Sequence, residues 1–219
     1  DDPRMPTICG LRRRGFTPSA IFDFVRRAGV AKAYSIVDIE LLDHCIRDEL
    51  NMTAQRRIAV LDPVKVTVTN YPEGKVEYFP VANNPEAGTR EVPFTRELYI
   101  DREDFAEVPP PKFHRLKPGG DVRLMGAYIV KLNEIVKDAD GNVTELRCTA
   151  DLETGNGNPA DGRKVKGTVH WLSADHSKEA AVMLYDKLFT IANTGDIPED
   201  RTYDDYLNRE SVKKLTGCR

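Results

Sequence analysis

After Asn51 the spacing of apolar residues changes from one in every three or four to one in every two, and most of the remaining chain keeps the shorter period. A period near 3.6 turns one stripe of a helix toward a core, whereas a period of 2 turns one face of a strand there. The sequence therefore predicts a small helical head followed by a mainly β body. In the head, Thr7 caps a short basic turn that Gly15 closes in the left-handed conformation. Thr17 and Pro18 are an N-cap and a first-turn proline for a second helix, in which Ile21, Phe24, Val25 and Ala28 recur until Gly29 stops the run. A third helix is predicted from Asp38 to Leu50, striped by Ile39, Leu42, Cys45, Ile46 and Leu50.

In the body, strands are predicted at 57–61, 64–69, 75–79, 97–101, 121–125, 128–137, 143–148, 164–171 and 181–189, with a further one beginning at Ser211. The clearest hairpin turn is Asp138-Ala139-Asp140-Gly141-Asn142. Many short strands with no helical pattern between them favour antiparallel barrels or sandwiches over a doubly wound sheet. Residues 193–210 are polar and acidic and read as an exposed connection, and the stop at Arg219 so soon after a new strand begins reads as the end of a fragment.

The 219 residues suffice for one large domain or two small ones. No window approaches the run of about 18 apolar residues that a membrane helix needs, and Asp1-Asp2-Pro3-Arg4 does not open a signal peptide. The expectation is a cytoplasmic protein with no membrane partner. With 32 Lys+Arg against 35 Asp+Glu, the net charge of -3 gives no bulk attraction to nucleic acid, so any anionic partner must be met by local patches. Cys9, Cys45, Cys148 and Cys218 lie far apart without a CxxC pair, which fits reduced thiols better than a zinc site or a disulfide framework.

Catalytic signatures are missing from these residues. Gly119-Gly120 has no helix after it to cradle phosphate, and His44, His114, His170 and His176 are scattered. The acid pairs Asp101/Glu103 and Asp138/Asp140 sit at strand ends and turns, where carboxylates are usually solvated. One stretch is different. Lys112, Arg115, Lys117, Arg123 and Lys131 are interleaved with Phe113, His114 and Tyr128 and with a single acid, Asp121; Arg163-Lys164-Val165-Lys166 adds a second basic run. Cations neutralise phosphate, guanidinium groups bond base edges and rings stack on bases, which is what single-stranded RNA requires. The same composition fits the solvated rim of an ordinary barrel, and composition alone leaves both readings open.

Residues 1–17, Asp-Asp-Pro-Arg-Met-Pro-Thr-Ile-Cys-Gly-Leu-Arg-Arg-Arg-Gly-Phe-Thr, resemble the segment that follows the catalytic domain in the glutaminyl-tRNA synthetase family. The likeness continues in order through 45–51, 59–65, 98–105, 122–124 and 159–167, and spans about the first 190 residues. The glutamyl-tRNA synthetases of archaeal and eukaryotic type rank second, because their opening diverges more; a generic RNA-binding β-barrel is the rival outside the family. The resemblance implies a class I enzyme that activates glutamine with ATP and magnesium and esterifies its tRNA. The His-Ile-Gly-His-like and Lys-Met-Ser-Lys-Ser-like signatures of that chemistry are absent from the chain and are expected upstream, so this region alone is expected to be inactive.

What the resemblance implies for fold is a helical subdomain, residues 1–51, and two antiparallel β-barrels within 52–219, one inserted in the other, with the completeness of the nearer one put at risk by a stop near residue 219. For the site, it matches Arg56 to the middle anticodon base, Arg115 to the third and Arg123 to the first. Lys112 stands where the best-known bacterial pattern has glutamine, leaving it charge attraction. Lys32 matches a lysine near tRNA phosphate, and Asp38 stands where the family has a glutamate, one methylene longer, at the stem minor groove. The implied partner is the tRNA for glutamine, bound by a monomer, with no DNA.

Overall fold

A computed structural model describes residues 2–30, 32, 35–159 and 161–219; Asp1 and Ala160, which belong to segments quoted above, lie outside that set. The chain divides into two compact units. The first comprises the described residues up to Ala54 together with Asn84–Glu86 and Met183–Leu215; the second comprises Gln55–Asn83, Ala87–Val182 and Thr216–Arg219. Among the described residues no helix is long and apolar enough to cross a membrane.

Three helices open the first unit, α1 (Ile8–Arg13), α2 (Pro18–Ala28) and α3 (Ile39–Thr53). Their ends are fixed by the predicted residues: Thr7 Oγ1 accepts from Gly10 N at 3.0 Å, Thr17 Oγ1 accepts from Ala20 N at 3.2 Å, and Gly29 leaves α2 at φ 74°. The Thr17 hydroxyl also donates to Glu49 Oε2 at 2.7 Å, tying α3 to the start of α2. Leu11, Phe16 and Leu42 form the small core, with Ile21, Phe24, Ile39 and Ile46 packed on it. Val25 and Leu50 are exposed instead of joining it, while Ala20 is the buried residue of α2.

The second unit is built on eight strands before residue 170: β1 (Pro63–Val68), β2 (Glu77–Ala82), β3 (Thr89–Phe94), β4 (Glu97–Asp101), β5 (Asp121–Leu124), β6 (Ile129–Lys137), β7 (Val143–Asp151) and β8 (Thr168–Val169). They are followed by β9 (Leu172–Ser173), and a separate pair, β10 (Ala180–Tyr185) with β11 (Val212–Cys218), is shared between the units. Seven strands make one curled sheet in the order β8-β5-β6-β7-β1-β4-β9, and β2 pairs with β3 as a ribbon. The sheet is mixed rather than antiparallel throughout, since β1 runs parallel to β7 and β5 parallel to β8.

Two strand expectations are corrected and one strand is added. Residues 57–61 form no strand; Val60 exchanges both backbone hydrogen bonds with Arg219, at 2.7 and 2.9 Å, and only Val60 of the five is buried. The predicted strand 164–171 shrinks to Thr168–Val169: Lys164–Lys166 lie outside the ladder, and after Val169 the chain leaves β5 for β4 while the inward alternation of Val169 and Trp171 continues. β3 was not foreseen, since Pro93 weakens its pattern, yet Val92 and Phe94 alternate into the core.

That core is aromatic. Phe94 meets Tyr71, Phe79, Tyr128 and Trp171 edge to face, with ring centroids 5.0 to 5.8 Å apart. The two phenols share one acceptor: Tyr128 OH donates to Glu77 Oε2 at 2.8 Å and Tyr71 OH at 3.1 Å, with Lys75 Nζ at 3.3 Å. Burial alone would raise the Glu77 carboxyl, but these hydrogen bonds outweigh it and hold it below its ordinary 4.5. Burial and the same contacts push Tyr71 up strongly and Tyr128 up to about 12.

A carboxyl lowered on folding adds stability at pH values above its unfolded value, and that stability is lost as pH falls through the folded one. Urea unfolding of the Glu77→Gln variant beside the parent should therefore give a stability gap that is constant above pH about 5 and narrows below about 4. A gap independent of pH would show that the Glu77 charge does not contribute.

Candidate nucleic-acid interface

The segment from 102 to 124 carries half of the predicted site residues, Lys112, Arg115 and Arg123. β4 ends in a 3-10 turn, Arg102–Asp104, which Asp101 caps by accepting from Glu103 N at 3.3 Å; Asp101 Oδ2 also accepts from Leu61 N at 3.1 Å. Asp138 is used in the same way, accepting from the backbone of Asp140 and Asn142 within its hairpin turn. These carboxylates, considered above as acid and base candidates, are structural caps.

Beyond the 3-10 turn, Phe113 N donates to Pro110 O at 3.2 Å around a tight turn with Pro111 and Lys112 at its centre. Lys112 has φ 65°, a left-handed conformation that a non-glycine residue adopts at a cost of about 1 kcal/mol. It is exposed. Arg115 follows, half-exposed, with Nη1 2.8 Å from Asp104 Oδ1 and 3.3 Å from Glu103 O. On β5 the alternation turns Val122 and Leu124 into the core and Asp121 and Arg123 outward. Arg123 Nη2 donates to Gly157 O at 2.6 Å, while Nη1 is buried without a partner among the described residues.

Arg115 lines a cleft of about 360 Å³ with Phe113, His114 and Lys117 on one side and Lys131 and residues 163–167 on the other. Asp121 is its one acidic lining residue among the described residues. Lys117, Lys131, Lys164 and Lys166 have no carboxylate partner among the described residues. Arg163 is different: Nε lies 3.0 Å from Asp121, Nη2 2.9 Å from Asp151 and Nη1 2.6 Å from Asp161. Its hydrogen bond to Asp161, with those to Asp151 and the field of Asp121, raises its pKa. Arg163 is therefore a fastener, pinning the loop after β7 to β5 and β7. The basic run 163–166 divides into one structural arginine and two open lysines, and sequence could not separate them because the three aspartates are 2, 12 and 42 residues away.

Arg56 lies elsewhere on the same unit, in the segment between α3 and β1. Its N–H donates to Asn83 Oδ1 at 2.8 Å, and its exposed guanidinium has no partner among the described residues. Arg57 and Arg90 share this neighbourhood; burial and the Arg57 charge lower the Arg90 pKa, and Arg90 Nε is buried without a partner among the described residues. Sequence reading missed Arg90, which stands beside Glu91 on a strand whose pattern Pro93 weakens. Lys32 and Asp38 belong to the first unit and are both exposed. Asp38 is the N-cap residue of α3, yet its carboxylate makes no capping hydrogen bond.

Two family models, each described as tRNA synthetases class I (E and Q), anti-codon binding domain, match residues 54–151 and 168–219. Among curated proteins, the chain is 53% identical over 220 residues to a glutamine–tRNA ligase of Rhodopirellula baltica, covering 99% of this chain and 37% of that protein. A glutamine–tRNA ligase of Clostridium kluyveri is likewise 53% identical, with 99% and 39% covered, and one of Bradyrhizobium diazoefficiens is 53% identical over 222 residues, with 100% and 39% covered. The chain thus spans about two-fifths of the length of the curated relatives it matches.

The cleft depends on one close approach. A Cβ on Gly167 would lie 1.6 Å from His114 O and 3.1 Å from Val122 Cγ2. Gly167→Ala should destabilise the unit by about 3 kcal/mol or more, since the backbone on both sides must separate, whereas Lys164→Ala on the open rim should stay within about 0.5 kcal/mol of the parent. Denaturant unfolding of the two variants checks this, and equal midpoints would remove the packing constraint.

Proposed function

Because the chain belongs to the anticodon-binding family of the class I tRNA synthetases for glutamate and glutamine, we propose that it is the tRNA-gripping region of a glutamine–tRNA ligase. The observation that carries this reading is the cleft: four lysines without carboxylate partners among the described residues surround a guanidinium that keeps one edge open. Such a surface attracts a phosphate backbone and offers a bidentate donor to a base edge, and single-stranded RNA loops supply both. Double-stranded DNA would bury its base edges away from a cleft of this size.

In this reading Arg115 contacts the third anticodon base, Arg56 the middle one and Arg123 the first. Arg56 is suited by its exposed, unpartnered guanidinium. Arg123 has to exchange the Gly157 carbonyl for a base edge, which the unpartnered Nη1 beside it would reward. Lys112 contributes charge from its strained turn, Lys32 meets tRNA phosphate, and Asp38, whose carboxylate is not used as a cap, faces the stem minor groove. We read the curled sheet as one barrel and the β10–β11 pair as part of a second, with residues 1–51 as the helical subdomain before them.

Activation of glutamine with ATP and magnesium and its transfer to the tRNA belong to the rest of the protein. No residue of this region is assigned to ATP or magnesium, and alone it is inactive. The whole enzyme is read as a cytoplasmic monomer.

The test is binding of the tRNA for glutamine against an anticodon-swapped version at two salt concentrations, in the full-length enzyme. Arg115→Ala should cost about 1–3 kcal/mol of discrimination at the third base, whereas Lys164→Ala should weaken both tRNAs alike and reduce the salt slope by about 1. Discrimination unchanged by Arg115→Ala would withdraw the base assignment. Stronger binding of a tRNA for glutamate would move the protein to the sister specificity.

A further inference from the structure

Arg115 is held by more than its own backbone. The residue after it, Leu116, is buried; Leu116 N donates to Asp104 O at 2.9 Å, and Ala106 N donates back to Leu116 O at 3.1 Å. These bonds fix the strip 104–106 beside 115–116. Asp104 is itself buried, at 9% exposure, yet carries a carboxylate. Its Oδ1 is 2.8 Å from Arg115 Nη1, and the same Nη1 is 3.3 Å from the Glu103 carbonyl. Arg115 Nε and Nη2 have no partner among the described residues.

We propose that Asp104 is the positioning residue for Arg115, gripping one edge of its guanidinium so that the other is presented to a nucleobase; this rests on the reading of Arg115 as a base-contacting group. Two consequences follow from the geometry. A long side chain already fixed in one rotamer loses less freedom when it binds, so its hydrogen bonds yield more affinity and more selectivity. A guanidinium already paired with a carboxylate also has a weaker net pull on phosphate, which biases it toward the neutral edge of a base. Burial raises the Asp104 carboxyl and the Arg115 charge opposes that, as two groups that depend on each other require.

The experiment measures aminoacylation kcat/KM by the full-length enzyme for three tRNAs, the cognate one, one altered at the third anticodon base and one altered at the first. The variants are Asp104→Asn, which keeps the shape and removes the charge, and Arg115→Ala as reference. The expected result is a loss of third-base discrimination of roughly tenfold in Asp104→Asn, with first-base discrimination kept within about twofold. Each discrimination is a ratio within one enzyme preparation, so a smaller folded fraction cancels. Third-base discrimination lost in Arg115→Ala but retained in Asp104→Asn would overturn the positioning role alone. Discrimination retained in both would overturn the base reading of Arg115, and the positioning role with it; equal losses at both bases in Asp104→Asn would reduce Asp104 to a general structural group.

Discussion

The larger unit depends on six residues that serve two sheet edges at once. In segment 168–173, Thr168–Val169 (β8) bond to β5 and Leu172–Ser173 (β9) bond to β4, so that this one segment supplies both end strands of the order. Two residues of chain between them therefore bring those edges together. Trp171, at the break, fills the interior against Phe94, and its indole N–H is satisfied by Met125 O at 3.0 Å. Burying that ring contributes on the order of 3–5 kcal/mol, as truncations of such residues show. The buried pair of Thr95 and Ser173 hydroxyls, 2.8 Å apart, locks the far side.

The closure also sets out the functional surface. β5 is held on one side by β6 and on the other by β8, so its outward residues Asp121 and Arg123 cannot slip in register without exposing Val122 and Leu124. The loop that precedes β8 is drawn over them, with Gly157 meeting Arg123 and Arg163 meeting Asp121. Lysines from 117, 131, 164 and 166 are left around the cleft. A chain with a net charge of -3 thus leaves a local excess of cations around the cleft, where the acid at position 121 is engaged by Arg163 and the lysines stay open.

Much of this was legible in residue order. Thr7 and Thr17 announce their helices because caps are local chemistry, and the turn at Asp138–Asn142 is fixed by carboxylate bonds to the next few backbone groups. Pairings across long distances were not. β1 lies beside β7, about 80 residues later and parallel to it, and nothing in either strand records the direction of its neighbour. Val60 looked like a strand residue and has a ladder-like partner, but that partner is Arg219 at the other end of the chain. For the site, the list of cations could be read directly, while their state of occupation could not. Lys164 and Arg163 are adjacent in sequence and opposite in role, and Asp104 carried no signal until its carboxylate was found against Arg115.

The three-carboxylate grip on Arg163 has a chemical corollary. Dicarbonyl reagents attack the neutral form of a guanidinium, and Arg163 has that form suppressed by Asp161, Asp151 and Asp121 while all three of its nitrogens are engaged. Arg56, exposed and without a partner among the described residues, offers no such protection. Covalent labelling would therefore sort the arginines by occupation, marking the open ones early and leaving the fasteners for last.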